Sequence, residues 1–116
     1  MAKEHDLRAG QTGMLVLSLL TGGDLYGYEM IVELRNRTGG IFDLKGGTLY
    51  PLIQTMEAKG WLESYHAIAG AGRSRKYYHL TNGGRLALKQ QAKAWKEYSD
   101  TVYQVLGHGK KPAELL

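Results

Sequence analysis

With 116 residues, 43% of them hydrophobic and 22% charged, the chain has material for one compact domain with a modest core. It has no cysteine, which excludes disulfides and thiolate metal sites and fits a cytoplasmic location. The net charge of +4 is unevenly spread: residues 1–60 hold six Lys/Arg against seven Asp/Glu, residues 61–116 nine against four, so a basic excess begins near Arg73 and suggests a polyanionic partner.

The opening MAKEHDLRAGQ is polar with charges of both signs and does not read as a signal peptide. The apolar run MLVLSLL at 14–20 is too short to span a membrane. Residues 7–20 read as a first helix, apolar around much of its circumference through Met14, Leu15, Leu17, Leu19 and Leu20, and so central. Residues 25–37 read as a second helix with the stripe Met30, Ile31, Leu34, stopped by Gly39-Gly40. A short extended piece, IFDLK, leads into a third helix over 46–59, closed by Gly60 as a C-cap. Its apolar stripe is Leu49, Leu52, Ile53 and Met56, and its front end carries Gly46-Gly47 and Pro51. The proline is expected in the first turn, where a helix has no N–H bond to lose.

Then the period changes from 3.6 to 2. Residues 61–68 and 74–80 are rich in aromatic and branched residues around the reversal AGAGR, which reads as a β-hairpin. In its second strand Tyr78 and Leu80 share one face, and Arg75, Tyr77 and His79 the other. Thr81 is the expected N-cap of a last helix ending near Gly107. The stripe of this helix is Leu88, Ala92, Trp95, Tyr98, Val102, Val105 and Leu106, spaced close to a heptad seam. So small a domain has nowhere to bury it. The tail 108–116 is expected to be flexible.

Three helices followed by a hairpin is the order of a winged helix-turn-helix, whose second helix of the pair enters the major groove. The expected fold is therefore mainly α (α+β), with a two-stranded wing and a long C-terminal helix. The outer face of residues 46–59 offers Lys45, Thr48, Tyr50, Gln54 and Thr55, hydrogen-bonding groups with few charges. The stretch GRSRKYY at 72–78 sets three cations just after a flexible tip, where they can reach phosphates. Catalysis finds no support: the four histidines show no metal-ligand spacing, and no nucleophile, phosphate or dinucleotide motif is present. No catalytic residue, metal or cofactor is expected.

Three segments in order, LYGYEMIVEL at 25–34, GGTLYPLIQTMEAKGWLES at 46–64 and GRSRKYYHLTNGG at 72–84, resemble the PadR family of transcriptional regulators. The resemblance covers most of residues 7–85 and points to the small branch with a single C-terminal helix. It implies a dimeric winged helix-turn-helix that binds operator DNA, usually as a repressor, with the long C-terminal dimerisation helix and its stripe from Leu88 to Leu106 as the dimer interface. It carries Thr48, Leu49, Tyr50 and Pro51 into the recognition helix and Arg73, Arg75 and Lys76 into the wing. Some members release DNA on binding aromatic or cationic small molecules between subunits, where Trp95 and Tyr98 would stand here. This chain departs from the pattern in a wing tip poorer in arginine, and in Gly83-Gly84, expected to weaken the start of the last helix.

The expected organisation is a DNA-binding unit over 1–80, a dimerisation helix over 81–107 and the tail. The expected function is a homodimeric, effector-released repressor on a roughly palindromic operator, with no membrane partner. Two other readings are a small-molecule sensor acting mainly through Trp95 and Tyr98, and a winged-helix protein-interaction module.

Overall fold

The computed structural model of the protein describes the backbone of residues 4–107 and, Ala69 apart, the side chains from Gln11 onward. The chain forms helix α1 (Glu4–Leu19), a 3-10 turn (Leu20–Gly22), strand β1 (Leu25–Tyr26), helices α2 (Gly27–Arg37) and α3 (Gly46–Ala58), strands β2 (Leu62–Ala69) and β3 (Arg73–Leu80), and helix α4 (Asn82–Gly107). The mainly helical winged-helix order follows the sequence reading. The tail 108–116 lies outside the described residues.

One apolar core joins the layers. The α1 residues Val16, Leu17 and Leu19 and the adjoining Leu20 meet Met30 and Leu34 of α2, and Leu49, Ile53 and Met56 of α3. Leu62, Tyr78 and Leu80 close the core from the hairpin. The alternation expected along β3 holds: Tyr78 and Leu80 are buried, while His79 is exposed.

The sheet has three strands rather than two, in the order β1-β3-β2. Leu25 and Tyr26, read from sequence as the start of a helix, instead pair antiparallel with Tyr78 and Tyr77. Two residues are too few to show a strand period, and they abut a helix whose pattern absorbs them. Residues 41–45 carry no strand pairing, so the piece expected to be extended is an irregular connection.

The front end of α3 also departs from expectation. The helix begins at Gly46, with Leu49 N–H bonded to the Lys45 carbonyl at 2.9 Å. Pro51 is therefore the sixth residue and not in the first turn. It leaves no N–H to meet the Gly47 carbonyl, a cost the first-turn placement would have avoided. The far end closes as expected: Gly60 adopts φ 78°, Gly60 N–H bonds Glu57 O at 2.9 Å and Trp61 N–H bonds Met56 O at 3.0 Å. That is the double bond pattern of a Schellman cap.

Thr81 caps α4, its Oγ1 accepting from Gly84 N–H at 3.0 Å and donating to Gly60 O at 2.6 Å. Gly84, expected to weaken the helix, is required there. A Cβ on it would collide with the Trp61 carbonyl oxygen and lie 2.6 Å from Leu80 Cδ1. The radius of gyration is 16.4 Å, against about 13 Å for a compact chain of this length. The excess comes from α4, about 39 Å long at 1.5 Å per residue, in a molecule of 57 × 28 × 28 Å.

Candidate nucleic-acid interface

The outer face of α3 is small and neutral. Gly47, Thr48, Pro51, Gln54, Thr55 and Ala58 are all exposed, while Leu49, Ile53 and Met56 anchor the opposite face in the core. Thr55 donates its hydroxyl to the Pro51 carbonyl at 3.1 Å, which leaves the oxygen's lone pairs outward. Lys45, at the N-cap position, is held at 3.5 Å by Asp43, which also meets Arg35 at 4.0 Å. Both pairs are exposed and hold their partners weakly.

Tyr50 stands at the edge of this face, 44% exposed. Its ring lies across the start of α2, close enough that a Cβ on Gly27 would strike its hydroxyl, with a further contact to Gly46. It thereby forms one wall of an open groove of about 520 Å³ between α3, the start of α2 and β3. Tyr26, Gly27, Tyr28, Gln54, Ser74, Arg75, Lys76 and Tyr78 complete the lining. Burial, then the neighbouring Glu57 and Tyr50, push the Tyr78 phenol up, so it stays a neutral donor at the groove floor.

The three wing cations split between the two faces of the sheet. Lys76 shares the face of Tyr78, with its Nζ 5.7 Å from that ring, and points into the groove. Arg73 and Arg75 fall on the other face. Arg75 bends back over the edge strand, its guanidinium 4.8 Å from the Tyr26 ring, and so also reaches the groove. The structure thus brings together Tyr50, Gln54, Arg75 and Lys76 among the expected residues. Arg73 sits apart at the wing tip, exposed. Tyr26, Gly27, Tyr28, Ser74 and Tyr78 were not among the binding residues expected from sequence. The available signal was YGY at 26–28, a glycine between two tyrosines where the backbone must be approached closely.

The remaining face of the sheet is tied by aromatic and polar contacts. Tyr77 stacks on Tyr65 at 5.8 Å and meets the edge of Tyr26 at 5.6 Å. Asp24 accepts from Tyr65 Oη at 2.6 Å and pairs with His79 Nδ1 at 2.8 Å. The Tyr65 hydroxyl first, with His79 adding, holds the Asp24 carboxyl below its usual range, and the same hydrogen bond raises Tyr65. These contacts fasten β1 and its preceding loop to the wing.

The α4 stripe splits in two. Ala87 is buried and Leu88 packs against the domain core. Beyond them Ala92, Trp95, Tyr98, Val102, Val105 and Leu106 are all exposed, Tyr98 at 62% and Val105 at 73%. The Trp95 and Tyr98 rings lie 5.9 Å apart at 35°. Among the described residues no helix is long and apolar enough to cross a membrane.

Comparison with known proteins bears on the family and the fold. Residues 16–90 match the transcriptional regulator PadR-like family. The transcriptional regulator Rv3488 of Mycobacterium tuberculosis is 39% identical over 87 residues, 75% of this chain and 78% of that protein. A transcriptional regulator from Clostridium thermocellum has a structure similar at TM-score 0.78 and 30% identity, covering 85% of this chain and 96% of that one. A PadR family transcription regulator from Clostridium difficile follows at TM-score 0.70 and 35% identity, with 82% and 97% covered.

Proposed function

The chain belongs to the PadR-like family of transcriptional regulators, a family of regulators rather than enzymes, and on that premise we propose that it is a homodimeric repressor of a roughly palindromic operator. The observation that carries the reading is the continuity of two surfaces: the neutral outer face of α3 runs directly into a groove holding Arg75 and Lys76. In this reading residues 1–80 bind DNA and α4 pairs two copies. Thr48, Pro51, Gln54 and Thr55 enter the major groove with Tyr50 at their edge, Lys45 meets backbone phosphate at the helix start, and Arg73, Arg75 and Lys76 meet flanking phosphates. Few charges on α3 leave base edges to be read by hydroxyls and an amide, while the cations supply sequence-independent attraction.

Pairing through α4 is supported by its exposed apolar stripe, an arrangement that water disfavours on a lone chain. Two-fold pairing sets the half-sites one or two helical turns apart. Selecting bound duplexes from the host genome tests the reading. Enrichment of a palindromic site supports it, and failure to enrich any duplex overturns it.

A second element of the reading is release by an aromatic or cationic small molecule. The exposed, neighbouring rings of Trp95 and Tyr98 favour it, since such a pair can flank a flat ligand at the dimer seam. Quenching of tryptophan fluorescence by planar aromatics, lost in Trp95→Phe, would support it; quenching retained there would assign the signal to Trp61 and count against it.

A further inference from the structure

The wing tip raises a question that phosphate contacts do not answer. From Ala67 to Gly72 the sequence is AIAGAG, without a charge or a hydrogen-bonding side chain. Yet it carries Ile68, 76% exposed and among the most exposed large apolar residues of the fold. A β-branched residue suits a strand, but here no core lies beneath it to reward burial.

Register fixes where Ile68 points. It pairs across the hairpin with Ser74, and directly opposed residues project to the same side of a sheet. Ser74 lines the groove together with Lys76, Tyr78, Tyr50 and Gln54. Ile68 therefore extends the groove-lining face outward, four residues beyond the buried Tyr78, or about 13 Å at the strand rise. Cations stand near it on both faces, Lys76 on the same face toward the base of the wing and Arg73 on the opposite face at the tip. The tip beyond Ile68 ends in Gly70, Ala71 and Gly72, which carry at most a methyl group and keep it slim.

A slim, uncharged tip flanked by cations fits a narrow groove between two rows of phosphates. The minor groove of B-DNA is about 6 Å wide and offers few base-specific groups, and apolar side chains enter it at steps that unstack easily. Building on the DNA-binding reading above, we propose that Ile68 makes an apolar contact in the minor groove beside the major groove occupied by α3, and that this contact sets a preference for a deformable pyrimidine–purine step there. Deformation energy at that step then contributes specificity with no hydrogen bond to a base. It also accounts for the arginine-poor wing: apolar contact takes over at the tip, while Arg73 and Lys76 stay on the phosphates.

The test compares wild type with Ile68→Thr, which keeps the β-branch but puts a hydroxyl in place of the ethyl arm, and with Ile68→Val, which stays apolar. The probe is the duplex selected from the genome, with a second version whose flanking step is replaced by G·C pairs. Ile68→Thr is expected to lose about tenfold in affinity on the first duplex, the scale of one buried apolar side chain, and little on the second. Its salt slope is expected to be unchanged, since no phosphate contact is removed, and Ile68→Val to bind as wild type does. Equal affinities of wild type and Ile68→Thr on both duplexes overturn this proposal alone, as does a loss that comes with a shallower salt slope. A wild type that binds no duplex overturns the DNA-binding reading itself and this proposal with it.

Discussion

The Tyr50 ring occupies the space that a side chain on Gly27 would need, so the ring rests against the start of α2 only because that residue is glycine. The displaced group would be the outer end of a half-exposed tyrosine, which is free to swing away. Gly27→Ala is therefore expected to leave the melting temperature within a few degrees of wild type, because a helix-propensity gain of about 0.5–1 kcal/mol offsets the poorer packing of the displaced ring. Duplex affinity is expected to fall about tenfold as Tyr50 leaves the groove wall. In a Tyr50→Ala background the same substitution should have no further effect on binding, which a double-mutant cycle measures directly.

Pro51 makes the opposite trade. It sits inside α3 on the exposed outer face. Pro51→Ala restores the N–H that meets the Gly47 carbonyl and should stabilise the fold by about 1–3 kcal/mol in a denaturant titration. A loss of stability would mean that the fixed φ of the proline holds the helix.

The adjacent glycines at the start of α4 are expected to behave differently. A Cβ on Gly84 strikes the Trp61 carbonyl, which is backbone and cannot step aside, so Gly84→Ala should cost about 1–3 kcal/mol. At Gly83 the nearest atom is Gly60 O at 3.4 Å, and Gly83→Ala should be neutral or stabilising by up to about 1 kcal/mol. Thermal melts of the two variants separate these outcomes.

Pairing through α4 predicts that Trp95→Ala combined with Tyr98→Ala yields a folded monomer, because both side chains are exposed on the single chain. Sedimentation equilibrium should show a dimer for wild type and a lighter species for the variant, with an unchanged helical signal. A variant as dimeric as wild type would place the interface elsewhere.

Much of this was legible in the chain itself. The hairpin showed as two stretches of aromatic and branched residues around a glycine-rich reversal, with Tyr78 and Leu80 on one face and His79 on the other, and α3 showed as a stripe from Leu49 to Met56. The rest depends on contacts distant in sequence. The pairing of Leu25 and Tyr26 with Tyr78 and Tyr77 needs the hairpin folded against them. Gly84 reads as a weak helix start until the Trp61 carbonyl stands beside it. The position of Pro51 turned on where α3 begins, and helix boundaries are the least legible feature of a sequence. Arg75 and Lys76 look equivalent as neighbours, and only the Tyr26 ring brings the former back around the sheet edge to the groove.

The central claim is that the groove cations and the α3 face act together on duplex DNA, the first for attraction and the second for sequence. The most direct measurement is the salt dependence of affinity for the genome-selected duplex, taken for wild type, Lys76→Ala and Gln54→Ala. The account predicts a linear fall of log affinity with log salt for wild type, a slope smaller by about one for Lys76→Ala with its base preference intact, and an altered base preference at the wild-type slope for Gln54→Ala. Wild-type affinity indifferent to salt, or a Lys76→Ala slope equal to that of wild type, would contradict it.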